Sequence, residues 1–363
     1  MSEAAATPAG RRAASGAPDL RAYAALDLGT NNCRLLIASP TPRGFRVLDA
    51  FSRIVRLGDG LAHTGRLDEA AMDRAVAALR VCADRIRKRA VPNVRAVATQ
   101  ACRTAENGQA FIDRVLAETG LKLDIITPRE EARLSVAGCV TLLDQTAEAA
   151  LVVDVGGGST ELSWVDLREL KLDPSRRPPH PERLPIKAWL SIPVGVVTLA
   201  DRFPEDRQLR RQWFREMTEA VKAEIEGFTR ADELRPLFEA GRAHLIGTSG
   251  AITSLAGLHL ELPRYERARV DGLWMTRDQC EAAAERLMQL EPAERAAQPC
   301  IGPDRADLVL AGAAILQAVQ ELWPCVRVRV ADRGLREGLL MSLMSKPPRR
   351  RRRGRRAGAG PRP

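Results

Sequence analysis

Apolar and polar positions along the chain recur in an order that reads as an α/β protein. Residues 23–27 and 34–38 read as two strands joined by a turn at Gly29-Thr30-Asn31-Asn32, and residues 45–55 as a third extended stretch. From 67 to 89 the period becomes helical, with Ala71, Ala75, Ala78, Leu79, Cys82 and Ile86 on one face. A strand at 94–98, a helix at 110–118, a strand at 123–126 and a helix at 128–143 follow. A second series opens with a strand at 151–155, a tight turn at 156–160 and a return strand at 161–165. The proline-rich segment 173–185 blocks regular structure and is expected to be a surface excursion between strands. Helices near 205–226, 277–290 and 304–322 and strands at 244–246 and 326–330 complete the pattern.

One string echoes another. Leu26-Asp27-Leu28-Gly29-Thr30-Asn31 and Val153-Asp154-Val155-Gly156-Gly157-Gly158 match in type at a constant offset of 127 residues. Each is a strand ending in Asp, an apolar residue and Gly, then a small-residue turn into a second strand. Two related halves that open with the same hairpin explain this most simply, and a length of 363 residues suits about two domains. The expected division is an N-terminal extension (1–21), two domains (22–143 and 144–344) and an arginine-rich tail (345–363).

Composition narrows the class. Apolar residues make up 45% and charged residues 28%, as in folded globular chains, and no uncharged apolar run reaches the ~20 residues of a membrane span. Residues 1–19 lack the apolar core of a signal peptide, so a cytoplasmic protein is expected. The net charge of +10 is largely the tail's: it carries nine cations and no acid, and without them 47 basic residues face 46 acidic ones. A tail so charged and so poor in apolar residues is expected to be disordered and able to hold polyphosphate or nucleic acid, or simply to solubilise. Seven widely spaced cysteines without a C-x-x-C pair read as reduced, mostly buried thiols, and four scattered histidines offer no metal site of their own.

The two turns carry the candidate chemistry. A strand ending in Asp-x-Gly places a carboxylate beside backbone N–H groups that can point at an anion, and glycine lets phosphate oxygens come close. Gly29, Thr30, Asn31 and Asn32 in the first turn, and Gly156, Gly157, Gly158, Ser159 and Thr160 in the second, are the expected phosphate cradle. Asp27, Asp154 and Glu161 are the expected ligands of Mg²⁺ or another divalent cation that bridges phosphate oxygens. One such loop alone reads equally as a structural turn; two facing loops read as a phosphate clamp. Neither a P-loop nor a dinucleotide-binding glycine motif occurs. A third loop with Gly247, Ser249 and Gly250 precedes a helical pattern and offers N–H groups at its start. Thr127, Pro128 and Glu130 read as a capping box, which gives Glu130 a structural task and leaves Glu131 without a local partner.

Taken in order, the strings ALDLGTN (25–31), RLGDGL (56–61), TGRL (64–67), TQACRTAEN (99–107), EEARL (130–134) and DVGGGSTEL (154–162) resemble the exopolyphosphatase and guanosine pentaphosphate phosphohydrolase family. GVVTL (195–199), GTSG (247–250), RAD (305–307) and GLREGLL (334–340) extend the resemblance over residues 23–345. It implies an α/β fold of two actin-like, ribonuclease-H-like domains with a cleft between them, and a homodimer. It also implies that Glu131 is the catalytic base and that Arg103 is a cleft arginine. Asn32-Cys33 and Ala251 depart from the family's usual residues, and with no His-Asp dipeptide after GLREGLL a short, two-domain member without the helical C-terminal domain of the long ones is expected.

The reaction implied is release of the terminal phosphate of inorganic polyphosphate or guanosine pentaphosphate, which needs positioning and charge neutralisation more than covalent chemistry. Arg103 and Arg305 would steady the polyanion, with an ion pair of Arg305 to Asp307 or Glu337 as the rival role. The other readings are an actin-fold ATPase or kinase, and a non-catalytic polyphosphate- or RNA-binding protein acting through its tail.

Overall fold

A computed structural model describes residues 21–345 apart from Pro174. The expected N-terminal extension and arginine-rich tail lie outside the described residues, save Arg21 and Ser345 at their edges.

Among the described residues eleven strands form two sheets. The first contains β1 (Tyr23–Leu28), β2 (Asn32–Thr41), β3 (Gly44–Ile54), β4 (Asn93–Ala98) and β5 (Leu123–Ile125), in the order β3-β2-β1-β4-β5. β1, β2 and β3 are an antiparallel meander, while β4 and β5 run parallel to β1. The second contains β6 (Ala149–Val155), β7 (Thr160–Asp166), β8 (Ile186–Ile192), β9 (Ala243–Thr248), β10 (Trp274–Thr276) and β11 (Arg327–Ala331). Its order, β8-β7-β6-β9-β11, repeats the first sheet, and β10 adds an antiparallel edge. Each sheet is therefore ribonuclease-H-like, and the pair makes the actin-like fold.

The echo at offset 127 is a true structural repeat. Asp27 pairs across its hairpin with Arg34, and Asp154 pairs with Glu161, so both turns have the same register. The parallel strands need crossovers, which the helices supply. The longest, Glu69–Lys88, is capped by Asp68, which accepts the Ala71 N–H, and buries Ala71, Ala75, Leu79, Cys82 and Ile86 as its period predicts. The proline-rich segment lies between β7 and β8 as expected.

Three of the expected helices are shorter than the sequence pattern predicts. The helix expected from 205 begins at Arg210, because Asp206 instead accepts the N–H groups of Gln208 and Leu209. The helix expected from 304 begins at Val309, after a run of turns. The helix Pro128–Cys139 gives way to a short 3-10 turn at Val140–Leu142.

The halves also exchange helices. Val136, Ala137 and Cys139 of the helix Pro128–Cys139 pack with Ala150 and Val152 of the second sheet. Leu335, Leu339, Leu340 and Met344 of the last helix, Leu335–Met344, return to pack on Ala25, Leu36 and Val97 of the first. Where these helices cross, Gly138 and Gly338 face backbone so closely that a Cβ would lie 2.0 Å from Gly334 O and from Leu134 O respectively. Only glycine fits there. All seven cysteines are buried and unbridged. Among the described residues no helix is long and apolar enough to cross a membrane.

Candidate active site

The parallel strands of both sheets end at one cleft of about 790 Å³, the position at which open α/β sheets bind ligands. β1 delivers Asp27 and the first turn; β6 delivers Asp154 and the second. β9 ends in Thr248, Ser249 and Gly250, and β11 is followed by Arg333 to Glu337. Of the expected phosphate ligands, Gly29, Thr30, Asn31, Asn32, Gly156, Gly157, Gly158, Ser159, Ser249, Gly250 and Arg305 line the cleft.

The two turns touch. A Cβ on Gly157 would lie 3.0 Å from the Asn31 nitrogen, and one on Gly158 2.1 Å from Gln100 Oε1, so the glycines let the two halves approach closely here. Thr30 Oγ1 donates to Gln100 Oε1 at 3.0 Å, and Ser249 Oγ caps its helix by accepting the Ile252 N–H at 3.0 Å. Two expected ligands stand apart. Thr160 is buried in β7 and its hydroxyl is spent on Val194 O at 2.6 Å. Gly247 lies inside β9, where its Cβ position is filled by Ile252.

Glu131 sits in the first turn of the helix Pro128–Cys139, 8% exposed, at the cleft wall. Arg103 Nη1 donates to Glu131 Oε2 at 3.1 Å and to Ile126 O at 2.9 Å, which fixes the carboxylate from behind. Arg103 thus orients Glu131 and does not itself line the cleft. Burial raises the Glu131 carboxyl well above the usual range, as do the charges of Glu161 and Asp154, while Arg103 opposes. Glu130 differs from the expected capping box. Thr127 Oγ1 accepts the Glu130 N–H at 3.2 Å, but the Glu130 carboxylate turns to Arg95.

Two further acids accompany Glu131, Glu161 buried and Asp154 half-buried. Burial pushes Asp154 up to about 6 and Glu161 up to about 7, the latter with help from Asp154. Ser135 donates to Asp154, and Ser159 and Ser191 each donate to Glu161 Oε1 at 2.8 Å. Asp27 is also raised by burial, but Arg34 and Arg336 pull against it.

Sequence reasoning found Arg305 but missed Arg34 and Arg336, the other cations that define the opposite wall. Arg34, directly across the hairpin from Asp27, lines the cleft together with Arg305 and Arg336. A Cβ on Gly250 would be 3.7 Å from the Arg305 guanidinium carbon and 3.9 Å from Arg34 Nη2, so two arginines converge on one helix start. Burial and the Arg336 and Arg305 charges lower the Arg34 pKa, while Asp27 and Asp332 oppose. The rival ion pair of Arg305 is not formed: Asp307 is held by Arg56 at 2.9 Å, and Glu337 by Arg267 at 3.1 Å. Strand alternation was the available signal for Arg34, since a residue opposite Asp27 must share its face.

Among the described residues no three His, Cys, Asp or Glu side chains are grouped to hold a metal ion. Asp27, Asp154 and Glu161 nevertheless line one cleft, Glu161 buried and the two aspartates half-buried, and two cleft acceptors, Asn31 Oδ1 and Asn32 Oδ1, lack partners. That donor set suits a cation such as Mg²⁺, which commonly takes one or two carboxylates and completes its shell with water and substrate phosphate.

The sequence profile of the Ppx/GppA phosphatase family matches residues 36–347. A guanosine-5'-triphosphate,3'-diphosphate pyrophosphatase of Photobacterium profundum is 29% identical over 324 residues, 89% of this chain, which spans only 59% of that relative. The crystal structure of the Aquifex aeolicus Ppx/GppA family member is similar, with 28% identity, a TM-score of 0.68 and coverage of 88% of this chain and 96% of that one. An exopolyphosphatase from Cytophaga hutchinsonii shares the fold, with a TM-score of 0.78 at 24% identity over 89% of this chain and 97% of its own.

Proposed function

The chain belongs to the Ppx/GppA phosphatase family, and from that premise we propose that it hydrolyses the terminal phosphoanhydride of inorganic polyphosphate, of guanosine pentaphosphate, or of both. The observation that supports this most is Glu131, oriented by Arg103 and facing two glycine turns and a group of arginines in one cleft.

The terminal phosphoryl group sits between the two turns, whose N–H groups take its oxygens, while Arg34, Arg305 and Arg336 hold the phosphates behind it. Glu131 accepts a proton from the attacking water and orients it in line, a role worth ~10²–10⁴-fold in rate. A carboxyl pushed up by burial is the more strongly basic when ionised, which suits a proton acceptor. Arg103 fixes the direction of the Glu131 lone pair and keeps the carboxylate from turning into the core. Asp154 and Glu161, with Asp27, would hold a divalent cation, which when bound neutralises charge on the phosphate oxygens.

Phosphate release measured side by side from long-chain polyphosphate and from guanosine pentaphosphate, with and without Mg²⁺, tests this reading. Metal-dependent release from at least one substrate is expected; release from neither would refute it.

A further inference from the structure

The first turn is braced on the side away from the cleft. Thr30 O accepts the Gly58 N–H at 2.9 Å, and Asn31 O accepts the N–H groups of Val55 and Arg56 at 2.9 and 3.1 Å. In a trans peptide the carbonyl and the following N–H point oppositely. Anchoring Thr30 O to Gly58 therefore turns the Asn31 N–H towards Gly157 of the second turn.

The brace is itself held. Arg56 has φ 48°, a left-handed conformation uncommon for a residue with a Cβ. Arg74, from the helix Glu69–Lys88, donates to Val55 O at 3.0 Å and to Arg56 O at 3.3 Å, and pairs with Asp59 at 3.2 Å. That backbone aims the Arg56 guanidinium across the gap between the halves. Its Nη1 lies 2.9 Å from Asp307 Oδ2, and its Nη2 donates to Asp307 Oδ1 at 3.2 Å and to Asp304 O at 3.3 Å. This is a fork on a carboxylate, the most directional ion pair available to an arginine.

Asp307 lies two residues from Arg305, whose carbonyl accepts the N–H groups of Leu308 and Val309 at the start of the helix Val309–Leu322. One pair thus joins the brace behind the first turn to the segment that carries a cleft arginine. The side chains of Arg56 and Asp307 are 34% and 51% exposed, so water can compete for them and the pair can open. They border a gap of about 230 Å³ lined also by Asn31, Asp59 and Asp201.

We propose that Arg56–Asp307 is an interdomain clasp. Closed, it sets the first turn and Arg305 at the spacing that consecutive phosphates require; open, it lets the halves part. Both are positioning residues that touch no substrate. The kinetic part of this inference rests on the phosphohydrolase reading above.

The test compares wild type, Asp307→Asn, Arg56→Asp and the double exchange Arg56→Asp/Asp307→Arg. Melting temperature, steady-state phosphate release and small-angle X-ray scattering are measured on each. Asp307→Asn should raise KM about three- to tenfold while kcat changes by less than about twofold, with the melting temperature nearly unchanged. The exchange should recover much of the lost KM. An unchanged KM in folded Asp307→Asn, or an exchange no better than either single variant, would overturn the clasp. If wild type releases no phosphate from either substrate, the functional reading falls and scattering decides alone. A larger radius of gyration for Asp307→Asn then supports the clasp, and superimposable curves overturn it.

Discussion

In the first hairpin Asp27 stands opposite Arg34; in the second, at the same register, Asp154 stands opposite Glu161. The backbone is a copy, and both turns present glycines and N–H groups to one cleft. A single position in each hairpin changes the sign of the wall. Arg34 gathers with Arg305 and Arg336 and opposes the rise that burial gives Asp27, whereas Glu161 adds its charge to burial in pushing the Glu131 carboxyl up, as Asp154 does for Glu161. One wall of the cleft thereby gathers cations suited to an anion, and the other, with Glu131 at its edge, gathers carboxylates suited to a proton or a cation. A duplicated fold supplies the cradle twice, and side chains at one register divide the labour.

The largest expected effect comes from the proton-accepting side. Glu131→Gln keeps size and hydrogen bonding but removes the base, so turnover should fall by ~10²–10⁴-fold while binding measured by calorimetry persists. Near-normal turnover in the folded variant would remove Glu131 from the mechanism.

Asp154→Asn takes one carboxylate from the second wall and should raise the Mg²⁺ concentration needed for half-maximal rate roughly tenfold. A titration identical to wild type would exclude Asp154 as a ligand.

The halves should also differ in acid. His244 lies beside Ala150 at the register where the first sheet places Asn93 beside Tyr23. Burial pulls the His244 imidazole down to about 4, against about 6.5 in an unfolded chain. The unfolded state binds more protons between these values, so stability is full above pH ~6.5 and falls by on the order of 1–3 kcal/mol as pH drops towards 4. Melting curves across this window should flatten for His244→Phe. An unchanged acid slope would show that other groups carry it.

The smallest effect belongs to Glu130. Its carboxylate meets Arg95 at a partly exposed site, so Glu130→Gln should cost about 0.2–1 kcal/mol of stability and leave turnover intact. Loss of activity in Glu130→Gln but not in Glu131→Gln would reverse the assignment of the two neighbours.

What the sequence makes legible follows from locality. The hairpins could be read because Asp-x-Gly turns and strand alternation are local, and the 127-residue echo made them a pair. Thr127 and Pro128 announced the start of their helix for the same reason. Glu131 came from family resemblance, since no spacing separates it from a solvated first-turn carboxylate. Strand β10 has only three residues, too few for a period to show. The exchanged helices were hidden because Gly138 and Gly338 acquire meaning only when two segments 200 residues apart cross. The bond of Arg103 to Glu131 was hidden by the same limit: the two are 28 residues apart, and only the fold brings the guanidinium to the carboxylate.

The division between the two walls is tested most directly by steady-state kinetics of Arg34→Gln and Glu161→Gln across a range of Mg²⁺ concentrations. Arg34→Gln should raise KM about tenfold with a smaller change in kcat. Glu161→Gln should lower kcat and raise the Mg²⁺ requirement, with KM little changed. If both variants move the same parameter to the same extent, the two walls do not divide binding from chemistry, and the account fails.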